Sequence, residues 1–194
     1  MTPFKPTSIA LFPLTSHVLP GGRLQLRIFE QRYIRMIKEA LSEQKGFGVC
    51  MLNPKGRSDN NSHILPIGTL VNIIDFESLP DGMLGITVAG EQLFEVGHID
   101  TAKDGLRTAN VTLREEWQAT ELSDEDILLR QRLQEVFEAY PELAELYPEK
   151  KLDDEPWICQ RWLEILPLEP QKKQELLASH NTQPVKEFIR SLVE

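Results

Sequence analysis

A chain of 194 residues is long enough for one large domain or two small ones, and roughly 70% of its unfolded surface can be buried without help from disulfides or metals. The net charge of −9 is uneven: residues 1–114 carry 12 Lys/Arg against 11 Asp/Glu, and residues 115–194 carry 9 against 19. A back half this acidic repels phosphate backbones and argues against nucleic acid as its partner; no apolar run spans a membrane, and Met1-Thr2-Pro3-Phe4-Lys5-Pro6 lacks the features of a secretion signal, so a cytoplasmic protein is expected.

Ser8 to Leu14 is a short apolar run interrupted by Pro13, which suits an edge strand or a strand end. Leu19-Pro20-Gly21-Gly22 signals a turn, and Arg23-Leu24-Gln25-Leu26-Arg27 alternates with period two. The spacing then changes to four: Phe29, Tyr33, Ile37 and Ala40/Leu41, with Ile34 alongside, describe an amphipathic helix over 29–43. Gly46 to Leu52 reads as a buried strand, followed by a polar loop to Ser62. Thr69–Phe76 and Met83–Val88 are strands joined by Glu77-Ser78-Leu79-Pro80-Asp81-Gly82, a hairpin with glycine where positive φ is needed. Gln92–Val96 and Asn110–Arg114 supply two further strands, bounded by Gly90 and Gly105. Six or seven short strands with one inserted helix argue for a small barrel or a strongly curled sheet.

From Ser123 the pattern becomes helical. Ser123 with Asp126 reads as a capping box, opening a helix that carries Ile127, Leu128, Leu133, Val136, Phe137 and Tyr140 and is ended by Pro141. Asp154-Glu155-Pro156 opens the next, with Ile158, Trp162, Ile165 and Leu166 on its face. Glu169-Pro170 starts a third, running through Leu177, and Thr182 caps a fourth bearing Val185, Phe188, Ile189 and Leu192. The expected fold class is α+β, with a strand-rich subdomain over 1–118 and a helical bundle over 119–194.

Little in the chain points to catalysis, a metal or a cofactor. His17, His63, His98 and His180 stand singly, and Gly46-Phe47-Gly48 lacks the third glycine of a dinucleotide site. No phosphate-binding Gly-x-x-x-x-Gly-Lys-Ser/Thr is present, nor a recognisable Ser–Lys arrangement. Asp124-Glu125-Asp126 and Asp153-Asp154-Glu155 sit where helix N-termini favour negative charge, Trp157 and Trp162 suit a helical core, and Cys50 and Cys159 suit buried, reduced positions. One stretch is more suggestive: Arg23, Arg27, Arg32, Arg35 and Lys38 place a basic stripe on the strand–helix unit. It is read as solvated, as paired with the acidic back half, or as a docking site for acidic segments.

Three blocks of residues resemble a known family. Ile9-Ala10-Leu11-Phe12-Pro13-Leu14, Val18-Leu19-Pro20-Gly21 and Leu26-Arg27-Ile28-Phe29-Glu30-Gln31-Arg32-Tyr33 are similar to the opening of the Lon protease N-terminal domain. The Phe-Glu-x-Arg-Tyr form looks most like stand-alone bacterial members and the Lon-like domain of cereblon. Ile67-Gly68-Thr69-Leu70, Leu79-Pro80-Asp81-Gly82 and Val88-Ala89-Gly90 continue the likeness, as does Leu163–Leu177 with Leu166-Pro167-Leu168 and Lys173-Gln174-Glu175-Leu176-Leu177. One departure is Leu93 before Phe94, where the family commonly has arginine.

The resemblance implies a PUA-like six-stranded β-barrel with an inserted helix, followed by a C-terminal helical bundle. It also implies a non-catalytic module that recognises unfolded or damaged polypeptides and works with a protease or chaperone, with neither ATPase nor peptidase within Met1–Glu194. Candidate polypeptide contacts are Met36, Met51, Leu52, Leu79, Pro80 and Met83, with Arg23, Arg27, Arg35 and Lys38 as the docking stripe. In the Phe29-Glu30-Gln31-Arg32-Tyr33 motif, Phe29 and Tyr33 are expected in the core, Glu30 at the helix start and Arg32 in an ion pair. A second reading is a regulatory domain that binds a small molecule in a cleft between barrel and bundle.

Overall fold

A computed structural model describes residues 7–118 and 120–194. The chain divides between Arg114 and Glu115 into two compact units. The front unit contains strands β1 (Thr7–Leu14), β2 (Arg23–Ile28), β3 (Phe47–Leu52), β4 (Ile64–Ser78), β5 (Leu84–Thr101) and β6 (Arg107–Leu113), with helix α1 (Gln31–Glu43) between β2 and β3. The strands form one sheet in the order β2-β5-β4-β3-β1-β6, and β5 also pairs with β6. All pairs are antiparallel except β1–β3.

This connectivity depends on the length of β5, whose Leu84–Ala89 half pairs with β2 and whose Phe94–Thr101 half pairs with β6. The two strands expected at Met83–Val88 and Gln92–Val96 are therefore one, and Gly90 is not a boundary. Val71 pairs with Gly90 and Leu70 with Gln92, so the register shift absorbs Glu91 within the strand.

Glycine is needed at 90 because two chain segments meet there. The Gly21 amide donates to the Gly90 carbonyl at 2.9 Å, and the Gly90 amide donates to the Gly22 carbonyl at 3.0 Å. A Cβ on residue 90 would lie 2.1 Å from the Leu19 carbonyl oxygen. The turn at Leu19–Gly22 and the Val88-Ala89-Gly90 segment are thus one structural feature. Gly90→Ala should cost about 1–3 kcal/mol through forced backbone displacement, read as a lower urea midpoint by circular dichroism. An unchanged midpoint would show that the contact relaxes without loss.

Pro13 lies in a strand flanked on both sides, but the pairing with β6 ends at Leu11. This is the strand-end situation in which proline is tolerated. Helix α1 buries Tyr33, Met36, Ile37 and Ala40 against Phe12, Phe47, Val71 and Val88. A second cluster gathers Ile9, Leu11, Cys50, Ala109 and Val111 around Phe94. Phe29 corrects the expected helix. The helix begins two residues later at Gln31, Ile28 occupies the buried strand end, and Phe29 is left 64% exposed.

The helical unit contains a 3-10 turn (Asp124–Asp126), then α2 (Ile127–Ala139), α3 (Pro141–Glu145), α4 (Glu155–Ile165), α5 (Pro170–Leu177) and α6 (Gln183–Val193). Helix α4 is buried on all sides from Glu155 to Leu163, so its expected single face is too narrow. Trp157 and Trp162 lie in the core, and the Trp162 indole N–H donates to the Leu129 carbonyl at 3.0 Å. Leu129, Leu133 and Phe137 form the buried side of α2, while Tyr140 is exposed. Pro141 both ends α2 and opens α3.

Two expected caps are replaced by a buried polar cluster. The Ser123 hydroxyl donates to the Asp126 carboxylate at 2.6 Å rather than to a backbone amide, and Asp126 is fully buried. Lys186 Nζ lies 2.9 Å from Asp126 and 3.2 Å from Glu155, and Arg190 Nη2 lies 2.6 Å from Asp126. The Thr182 hydroxyl donates to Glu155 instead of capping α6. Cys50 and Cys159 are free thiols, each pushed up to about 12 by burial and so unreactive.

Candidate functional site

Two open cavities of the front unit are lined by the features singled out in the sequence. The first, about 590 Å³, lies along β2, β4 and β5 near their hairpin end, with Leu26, Phe76, Leu79 and Ile86 among its lining. The hairpin closes as its Pro-Asp-Gly step suggests: Gly82 has φ +79°, its amide donates to the Leu79 carbonyl at 3.1 Å, and the Leu79 amide donates to the Met83 carbonyl at 2.9 Å. Arg27 pairs with Asp81 at 2.6 Å, tying β2 to the turn.

Exposed apolar side chains stand on the same hairpin. Ile74 is 51% exposed and Phe76 58%. The ladder shifts register between Ile73 and Asp75, which leaves Ile74 unmatched across the pair. The Ile73-Ile74 doublet, which breaks period-two alternation, is the local signal for that bulge. Leu79 and Met83 are half-buried and Pro80 is exposed, so these three remain available at the surface.

The second cavity, about 510 Å³, lies where β2 runs into α1, beside the ends of β1 and β3 and the loop before β4. Leu14, Phe29, Tyr33 and Leu52 give it an apolar lining, and Arg27, Arg32, Arg107 and His63 also face it. The Tyr33 and Phe12 rings lie tilted at 39° with centroids 4.2 Å apart, and the Arg32 guanidinium carbon lies 4.7 Å from the Tyr33 centroid. Arg32 is held by Glu30 at 2.9 Å and donates to the Gly105 carbonyl at 3.2 Å. Burial raises the Tyr33 hydroxyl above its ordinary value, with Arg32 opposing. His63 is lowered, first by burial and then by the positive charge of Arg107.

The expected contact residues are thus divided. Leu52, Leu79, Pro80 and Met83 lie at or beside the cavities, whereas Met36 and Met51 are core residues, 1% and 5% exposed. Met36 faces inward because it lies one turn from Tyr33 and Ala40 on the buried face of α1, and Met51 because it is a β3 residue paired with Leu14. The basic stripe does not form one free surface. Arg27, Arg32 and Arg35 find carboxylates in the front unit itself: Asp81, Glu30, and the pair Asp104 (2.7 Å) and Glu39 (2.9 Å). The Arg35 hydrogen bond holds the Asp104 carboxyl down at about 2. Arg23 donates to the Gly22 carbonyl, and Lys38 is exposed. Ile74, Phe76 and Arg107 are features that the periodicity did not single out, whereas Phe29, which the periodicity placed in the core, lies at the surface.

Among the described residues no group of three or more His, Cys, Asp or Glu is placed to hold a metal ion, and no helix is long and apolar enough to cross a membrane.

A family model described as the ATP-dependent protease La (LON) substrate-binding domain matches residues 8–184. A solved Lon N-terminal domain protein from Xanthomonas campestris is 29% identical and superposes with a TM-score of 0.75 over 97% of this chain and 99% of that one. The N-terminal domain of a Mycobacterium avium complex Lon protease shares the fold, with a TM-score of 0.64 at 16% identity over 94% and 95% of the two chains. The Lon proteases of Treponema pallidum and Flavobacterium johnsoniae are 25% and 26% identical over 92 and 108 residues, or 47% and 55% of this chain. These matches span only 10% and 13% of the two proteases' own lengths.

Proposed function

The chain belongs to the family of ATP-dependent protease La (LON) substrate-binding domains, and from that membership we propose that it is a non-catalytic module for binding unfolded or damaged polypeptides. The observation that carries this reading is the exposure of Phe29, Ile74 and Phe76 on the front unit, two of them in the walls of open cavities. Exposed aromatic side chains beside a concavity are what an extended apolar segment needs to lose its own water. Among the described residues β2 is paired only with β5, so its outer edge is a candidate template for main-chain pairing with such a segment.

In this reading the front unit, which ends at Arg114, forms a PUA-like barrel, supported by the circuit of pairings β5-β4-β3-β1-β6-β5, and the unit that begins at Glu115 forms the accompanying bundle. The module acts in the cytoplasm and passes its polypeptides to a protease or chaperone. Leu52, Leu79, Pro80 and Met83 contribute to the contact surface; Met36 and Met51 support it from beneath.

Burying one phenylalanine side chain is worth about 1.5–3 kcal/mol. Phe29→Ser combined with Phe76→Ser should therefore weaken binding of a labelled, permanently unfolded protein by roughly tenfold or more. Because both side chains are exposed, the melting temperature should stay near that of the parent. Undiminished affinity in a folded double variant would place the contact surface elsewhere.

A further inference from the structure

We propose that the cavity at the start of α1 selects polypeptide segments in which a carboxylate lies beside a large apolar side chain. This specificity rests on the polypeptide-binding reading above and deepens it. The cavity is lined by three arginines, Arg27, Arg32 and Arg107, against one carboxylate, Glu30, a local positive excess on a chain of net charge −9. Two of those arginines are already committed, Arg27 to Asp81 and Arg32 to Glu30.

Arg107 differs. Its Nε donates to the Asn61 side-chain oxygen at 2.7 Å and its Nη2 to the Ser58 carbonyl at 3.1 Å, both neutral acceptors. Among the described residues no carboxylate pairs with it. The two bonds orient the guanidinium without neutralising it and leave N–H donors of its fork for another acceptor. His63, lining the same cavity, is held below its ordinary value first by burial and then by the charge of Arg107.

The apolar part of the site is Phe29, 64% exposed, with Leu14, Leu52 and Tyr33 around it. A cavity of about 510 Å³ accommodates one large side chain with its flanking backbone. An Asp or Glu neighbouring that side chain can then accept from Arg107 in a charge-assisted hydrogen bond. A lysine or arginine at the same place meets like charge.

The test uses three fluorescein-labelled peptides with one apolar core, flanked by Asp/Glu, by Asn/Gln or by Lys/Arg, and fluorescence anisotropy at low and at physiological salt. The acidic peptide should bind at least about tenfold more tightly than the amide peptide, with the gap narrowing as salt rises. Arg107→Gln should bring the acidic peptide down to the amide peptide's affinity. Arg107→Lys should keep part of the preference, which guards against a loop displaced by the glutamine. Arg132→Gln, which removes one charge from the helical unit, should leave the preference intact. Equal binding of acidic and amide peptides, or a preference that survives Arg107→Gln, would overturn the selectivity while leaving polypeptide binding in place. No binding of any of the three would overturn both.

Discussion

Asp126→Asn should destabilise the helical unit by about 3–5 kcal/mol, because it uncouples a buried charge from two buried or half-buried cations. Asp126 has no exposed surface and is the shared partner of Lys186 and Arg190. Burial by itself raises its carboxyl, but hydrogen bonds from Ser123, Lys186 and Arg190 outweigh that and hold it below the ordinary value. Burial lowers Lys186, and its bonds to Asp126 and Glu155 outweigh that in turn, so it lies above its ordinary value. The depressed carboxyl contributes stability above its unfolded value, near pH 4, that is lost as pH falls through its folded value. The raised lysine contributes stability below its unfolded value, near pH 10, that is lost as pH rises through its folded value. The cluster is therefore at full strength between about pH 5 and pH 9.

The chain's three tryptophans, Trp117, Trp157 and Trp162, all belong to the helical unit, so tryptophan fluorescence in urea reads that unit selectively. Asp126→Asn should lower its midpoint sharply at pH 7 and by progressively less as pH falls below about 4. A midpoint shift worth under 1 kcal/mol at pH 7 would mean that water reaches the cluster and screens it.

Phe94→Ala should cost the front unit about 3–5 kcal/mol, the range for emptying a fully enclosed phenylalanine site. Phe94 has no exposed surface, and its ring is fitted against two glycines. A Cβ on Gly48 or Gly68 would lie 2.6 Å or 2.5 Å from the ring's terminal carbon. Gly48 and Gly68 stand on neighbouring strands, β3 and β4, and Gly68 pairs directly with Phe94 on β5. Backbone on both sides limits how far the site can collapse, so the cavity persists. Far-ultraviolet circular dichroism in urea should show the strand signal lost at a lower midpoint. A cost below about 1.5 kcal/mol would indicate that the sheet closes over the gap.

What the sequence made legible was local. Pro80-Asp81-Gly82 specifies its hairpin through backbone preferences of adjacent residues, and the apolar spacing of Tyr33, Ile37 and Ala40 specifies α1. What it concealed depends on distant partners. Gly90 looks like a strand boundary until Leu19, Gly21 and Gly22 are brought beside it. Ser123 and Asp126 have capping-box spacing, but the cations that recruit Asp126 lie 60 and 64 positions along the chain. Phe29 continues the helix spacing yet precedes the helix, because Ile28 completes the strand. Arg107 sits in no motif; it enters the candidate site only because the loop holding Ser58 and Asn61 folds against it.

The central claim, that this family member binds polypeptides, is tested most directly by titrating the purified protein into fluorescently labelled unfolded proteins and peptides, without nucleotide, and reading anisotropy. The account predicts saturable binding at micromolar concentrations or tighter, competed by unlabelled apolar peptides and not by folded proteins. No saturable binding to any unfolded chain would contradict it, and would leave the exposed Phe29, Ile74 and Phe76 without the role assigned to them.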